Sequence, residues 1–358
     1  MPPTAAADLA LPNAVADLDE WVELSYRLRL TDGLPVLPPT RAAVDRLVAV
    51  SGRDPADVVG PIPPRDGVAT VEAIAANAVM AGCPPACFPV VLVAIEAMLT
   101  DRFNLRGVQT TTHGCWPLVI VSGPAVATLD MAWAESVFSG GGSRANATIG
   151  RAVRLCLWNL GGSLPGEPVK EVIGHPGRYS YCIAESPDTP WEPIHRARGV
   201  DAPSGVTVFA CESPHSVAMW GVDDTPAQRL EHLADAARIT GSNNAHTMGE
   251  LLVTLTPNEA HHLDRHGVDR AGVQRELFAR ARRRLAELLP GSGPYEWWPD
   301  WVDRNDPDTM VPVVERPEDI HVVVTGATSI PWMSVCPGWG NLGGFAESRP
   351  LPNPEGAQ

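Results

Sequence analysis

PLVIVSGP, residues 117–124, is a run of branched apolar residues closed by Gly-Pro, the pattern of a strand buried on both faces. On its C-terminal side GGGSRANATIGRAVRLCLWNLGG, residues 140–162, reads as a Gly-rich loop feeding a helix that stops at Gly161–Gly162. On its N-terminal side VATVEAIAANAVMAG, residues 68–82, is a small-residue helix suited to close packing. CPPACFPVVLVAIEAML, residues 83–99, follows as a second helix with prolines in its first turn, where no N–H is needed. Further strands are expected near 179–184 and 206–211, and helices near 17–30, 40–51, 225–239 and 257–289. GELLVTLTP and IHVVVTGA are strand-like runs that bracket the last helix. Helices alternating with apolar strands define an α/β class, a mixed sheet flanked by helices. LVIVSGPAVATL and LLVTLTPNEAHHL each read as strand, Pro-containing turn and helix, which suggests two duplicated βα units.

No clean linker interrupts the chain. The division expected is an N-terminal arm and helix over 1–30, one intertwined α/β catalytic domain over 31–345, and a flexible tail over 346–358. The formal net charge of −15 argues against a nucleic-acid partner and against an anionic membrane surface. No apolar run reaches ~18 residues, so no transmembrane helix is expected. Seven scattered cysteines and an N-terminus without a basic-then-apolar leader suit a reducing cytoplasm. A homo-oligomer is compatible with the sequence, and no cofactor can be named from it.

Four segments carry candidate chemistry. Cys83 lies just before a helix start, where free N–H groups and the helix dipole would hold a thiolate. Cys87, inside the helix, is the weaker candidate. Thr112 and His113 in TTTHGCWP, residues 110–117, sit ahead of the buried strand. His113 would serve Cys83 as general base, or the two would ligate a metal with Cys115. The loop at 140–151 would offer backbone N–H groups, Asn146 and the guanidinium of Arg144 or Arg151 to a carboxylate. Glu185, at a strand end and near Trp191, would be a second proton-transfer group.

Weaker signals complete the list of candidates. His262 and His266 have i,i+4 spacing but lack the glutamate of a zinc helix. The tryptophans of PYEWWPDW, residues 294–301, form a lid or a core cover. TGATSIPWMSVCPGWGNLGG, residues 325–344, reads as a ligand loop at a sheet edge, with Cys336 within it.

TDGLPVLPPT, the 70–98 helical region, the Thr-Thr-His ahead of LVIVSGP, RANATIGRAVRL and YCIAESPDTPWEPIH together resemble a bacterial family linked with the UGSC selenoproteins and their cysteine homologues. Members occur as companions of those proteins or as fused modules. The resemblance covers roughly residues 30–290. It implies nucleophilic or redox sulfur chemistry, a site drawn from Cys83, His113, Asn146, Arg151 and Glu185, and a UGSC-type companion. No Cys-Gly-Ser-Cys segment occurs in this chain, so a companion's active thiol would come from elsewhere. The expectation is an enzyme using a helix-N-terminal cysteine on a small carboxylate-bearing substrate, with thiol-dependent redox favoured. The alternatives are a lyase acting on a carbon–sulfur or carbon–heteroatom bond, and a non-catalytic partner subunit.

Overall fold

A computed structural model describes residues 11–12, 17–220, 225–288 and 298–352 of the 358. Two four-stranded mixed sheets form its centre. The first contains β1 (Trp116–Ser122), β2 (Cys182–Ala184), β3 (Gly205–Cys211) and β8 (Glu347–Pro350), in the order β8-β3-β1-β2. The second contains β4 (His215–Ala218), β5 (Leu251–Leu255), β6 (Ile320–Val324) and β7 (Trp332–Pro337), in the order β6-β5-β7-β4.

One pairing scheme serves both sheets. The opening strand has a parallel neighbour on one side, β2 beside β1 and β6 beside β5. On the other side it has an antiparallel neighbour, β3 or β7, and that strand pairs antiparallel with the edge strand. The edges are exchanged. After β3 the chain leaves the first sheet to lay β4 on the second, and after β7 it returns to lay β8 on the first. The tail expected from residue 346 is therefore in part an edge strand, because Glu347–Pro350 pairs with β3.

Period-two alternation decides what each face meets. Phe209 and Cys211 of β3 point at the second sheet, where the Phe209 ring meets that of His321 edge-on at 5.5 Å. Leu252, Val323 and Cys336 of the second sheet join the first sheet's core. The outer face of the first sheet is covered by α3 (Val71–Met80), α4 (Phe88–Met98) and α5 (Arg144–Asn159), with α1 (Leu18–Arg27) and α2 (Arg41–Ser51) beyond them. The outer face of the second packs against α6 (Pro226–Ala237), α7 (Pro257–Arg265) and α8 (Arg270–Arg280) through Leu230, Leu233, Leu263, Val273 and Leu277. The result is a helix–sheet–sheet–helix stack. Backbone hydrogen bonds cross between the sheets: Ser186 N–H donates to Val324 O at 2.7 Å, and Glu212 N–H to Pro337 O at 2.9 Å.

Sequence signals explain the helix limits. Thr40 and Ser143 cap α2 and α5 through their hydroxyls. Gly150 has no room for a Cβ, which would lie 2.5 Å from Tyr181 N, so α5 rides directly on the chain entering β2. The single helix expected over 257–289 is instead α7 and α8. Gly267 at φ +77° turns the chain between them and the Asp269 carboxylate caps α8. Beyond α8, Arg282–Arg284 forms a short ladder with Met310–Pro312.

Arg151 has a structural task. Its guanidinium reaches both oxygens of the Asp32 carboxylate, at 2.9 and 3.2 Å, and the carbonyls of Leu34 and Pro35, both at 2.9 Å. The Asp32 side chain is fully buried. This pair ties the 31–40 strap to α5. Removing one partner leaves a buried charge uncompensated, so Arg151→Ala is expected to lower unfolding free energy by about 3–5 kcal/mol. Urea denaturation of the variant against the parent measures it.

Candidate functional site

The residues expected to form one site separate into three groups. Cys83 is 4% exposed, and its thiol lies 3.7 Å from Pro84 O and within reach of the Cys87 sulfur. That shared hydrogen bond and burial push the Cys83 thiol well up, opposed by Thr148. The ionised Cys83 expected from the sequence is thus corrected. The helix starts four residues later than that reading requires, with Pro85–Cys87 in a 3-10 turn and Cys87 at the N-cap of α4. It is Cys87 that is held below the ordinary thiol range, by the Cys83 hydrogen bond and by the charge of Arg144, against the effect of burial. Arg144 donates to Gly82 O at 2.9 Å, which holds it near this thiol pair. Cys182, the first residue of β2, helps raise the Cys83 thiol and is itself raised by burial and by Cys87.

His113 belongs elsewhere. Tyr181 and Cys182 are consecutive, so their side chains leave opposite faces of the first sheet. Cys182 faces the thiol pair under the helices. Tyr181 faces the second sheet, near Cys211 and Cys336, and its hydroxyl donates to Glu212 O at 2.8 Å. His113 is on the Tyr181 side, where its Nε2 shares a 2.6 Å hydrogen bond with Glu212. It is not the base of Cys83. Nor do Cys83, Cys115 and His113 make a metal centre: among the described residues no group of three or more His, Cys, Asp or Glu side chains is arranged to hold an ion. Thr112 beside it is exposed, and its carbonyl accepts from Val172. Cys115 is buried and burial pushes its thiol up. His262 and His266 stack their rings at 4.5 Å on α7.

The third group supports the scaffold. Asn146 is fully buried, and its amide exchanges two 2.9 Å bonds with the backbone of Ala132, so it fixes a loop and does not face a ligand. The Gly-rich loop turns its N–H groups inward: Gly140 donates to Val137 O and Gly141 to Ser136 O. Glu185 is 2% exposed, accepts from Ile194 N–H at 2.7 Å and pairs with Arg270 at 3.2 Å. Burial raises its carboxyl against the pull of Arg270. Trp191 lies near the same arginine and donates to Asp264 at 3.1 Å. Of PYEWWPDW, residues 294–297 fall outside the described residues. Trp298 is buried in a small cluster with Met248 and Leu285, a core cover and not a lid.

The segment 325–344, read from the sequence as a ligand loop at a sheet edge, lines the main cavity through residues 325–334. The cavity holds about 550 Å³ between the sheets, beyond the C-terminal ends of β5 and β6. Thr254, Thr256, Ser334 and Ser216 of the second sheet furnish its floor, Phe138, Tyr181 and Trp332 its aromatic walls, and the 325–330 loop one rim. The register explains the floor: Ser334 lies opposite Thr254 on one side and Ser216 on the other, so three hydroxyls share one face. Thr256 is the N-cap of α7, yet its hydroxyl caps nothing and is a buried atom without a protein partner. Period-two alternation of Thr254 and Thr256 with Val253 and Leu255 in the strand-like run GELLVTLTP is the sequence signal for this polar face.

His175 closes one end of the cavity. Gly177 N–H donates to its Nδ1 at 3.2 Å, so the neutral ring carries its proton on Nε2, a buried atom on the side of the Cys211 carbonyl. Burial, then the charge of Arg178, lower its pKa to about 4, against Glu212 and the Cys211 carbonyl. Behind it Arg178 pairs with Glu171 and stacks on Trp116 at 4.2 Å, while Arg154 lies over Trp158 at 4.7 Å. Burial pushes Arg154 down to about 10 and raises Glu171.

The fold and cavity define a helix–sheet–sheet–helix protein with a hydroxyl-bearing pocket between its sheets, Glu135 being the acidic residue of its lining. No family model matches the chain, and a search of curated proteins found no match. Among the described residues no helix is long and apolar enough to cross a membrane.

Two outcomes follow from the ionisation pattern. Between pH about 6.5 and about 4 the unfolded chain takes up a proton that folded His175 refuses, so stability falls as pH is lowered through that window. His175→Gln is expected to flatten this slope in urea titrations repeated across the window. All seven thiols are unpaired and buried, so native protein at pH 7 is expected to react slowly with iodoacetamide. Peptide mapping is expected to find Cys87 alkylated ahead of Cys83.

Proposed function

We propose that this chain is an enzyme that binds a small molecule in the inter-sheet cavity and polarises one of its oxygen atoms by hydrogen bonding. The carrying observation is that the Thr254, Ser334 and Ser216 side chains share one face of the cavity lining, with the neutral imidazole of His175 at its end. A neutral imidazole is a donor whose proton stays in place at pH 7, which suits stabilisation of charge developing on a carbonyl or alkoxide oxygen. This chemistry corresponds to the lyase alternative. The carboxylate-binding role of Arg144, Asn146 and Arg151 is not carried forward, because each is engaged with the backbone or with Asp32.

A thiol-dependent reaction is the second reading, and one observation favours it: Cys87 at a helix N-cap, with a hydrogen bond from Cys83, is the most readily ionised of the clustered thiols. The family link to UGSC proteins and a UGSC-type companion belong to this reading, which rests on the resemblance. Seven unpaired cysteines favour a cytoplasmic setting for either.

The two readings separate on variants. Purified protein incubated with a cell metabolite extract is followed by mass spectrometry for compounds consumed and formed. His175→Gln and Ser334→Ala are expected to slow the turnover at least tenfold each while remaining folded, and Cys87→Ser to leave it within twofold. Turnover lost in Cys87→Ser and kept in the other two would move the chemistry to the thiol pair.

A further inference from the structure

We infer that the cavity takes a neutral, multiply hydroxylated ring, a cyclic polyol or sugar, rather than a carboxylate. The inference rests on the reading of the cavity as the substrate site and adds the class of ligand.

Charge comes first. Glu135 is the one ionised side chain in the lining among the described residues, and it is exposed. No lysine or arginine lines the cavity, and His175 is neutral there at pH 7. A carboxylate moved from water into such a pocket loses hydration and gains no counter-charge, a cost that neutral hydroxyls alone do not offset.

The supply of protons and lone pairs comes next. Thr254 Oγ1 and Ser334 Oγ share a 2.7 Å hydrogen bond. Such a pair consumes one of its two hydroxyl protons and leaves the other to donate. Ser216 and Ser329, exposed on the lining, add two hydroxyls that both donate and accept. Thr325 has spent its proton on Ala184 O, at 2.8 Å, and offers only lone pairs. Apart from Glu135 on its exposed rim, the cavity therefore presents neutral donors and acceptors together. A carboxylate only accepts, so it leaves Thr325 unanswered. A ligand hydroxyl both donates and accepts, so a ring bearing several satisfies both kinds.

Shape supplies the remaining constraint. Phe138, Tyr181 and Trp332 give flat apolar walls suited to the C–H face of a ring, and about 550 Å³ accommodates a ring with its substituents.

The test uses the full chain and saturation-transfer NMR with three probes: myo-inositol, D-glucose and malate. Ser216→Trp and Ser329→Trp, both at exposed positions on the lining, fill the cavity from two different segments, and near-ultraviolet circular dichroism verifies their fold. The expected result is signal from a neutral polyol, lost in both tryptophan variants, and an affinity about fivefold weaker in Ser334→Ala, the size of one neutral hydrogen bond. Malate signal lost in the tryptophan variants, with none from the polyols, overturns the ligand class and leaves the cavity as the site. Polyol signal unchanged in both variants overturns the cavity reading itself. Absence of signal from all three probes in the parent protein overturns the ligand class.

Discussion

Two sheets share one interior, and each carries an edge strand that the chain delivers from the other. Neither sheet is complete without the crossing segments, so the inner faces cannot separate without unpairing β4 and β8. The backbone bond from Glu212 to Pro337 sits where the chain passes between them, and that from Ser186 to Val324 joins the ends of β2 and β6. The cavity is a consequence. At the Leu252–Cys336 level the sheets are in contact and apolar, whereas at Thr254, Thr256 and Ser334 the inner face becomes polar and opens.

Buried charge is placed to hold this arrangement. Glu185 and Arg270 sit where the segment after β2 meets β6 and α8. Glu250, just ahead of β5, accepts from His321, from Ala346 N–H and from Arg102, so it joins the second sheet to the segment entering β8. Burial raises the Glu250 carboxyl, but His321 and the other donors more than offset this and hold it below the usual carboxylate range. Ser122 and His195 form another buried pair, at 2.6 Å, between the end of β1 and the short helix after Pro193. With neither residue exposed, it locks the structure and has no route to a substrate.

The two candidate chemistries differ in access. The Cys83–Cys87 pair has a favourable electrostatic setting but lies beneath the helices, with both residues at 4% exposure or less. The inter-sheet cavity has weaker individual groups, neutral hydroxyls and a neutral imidazole, but has room. A substrate must reach the reacting group, so room and orientation weigh more than the ionisation of a sealed thiol.

By itself the sequence determined the α/β class and the apolar runs that hold the strands at 117–122, 206–211, 251–255 and 320–324, because hydrophobic period is local. It brought candidate chemistry into view one residue at a time, without saying which residues meet. Tertiary structure alone decided that Arg151 answers Asp32, that Glu185 answers Arg270, and that His113 and Cys83 leave different faces of one sheet. It also decided that residues 347–350 complete the first sheet, and that hydroxyls from β4, β5 and β7 form a single floor. Those outcomes depend on strand order and register, which pair residues far apart in the chain and leave no periodic trace along it.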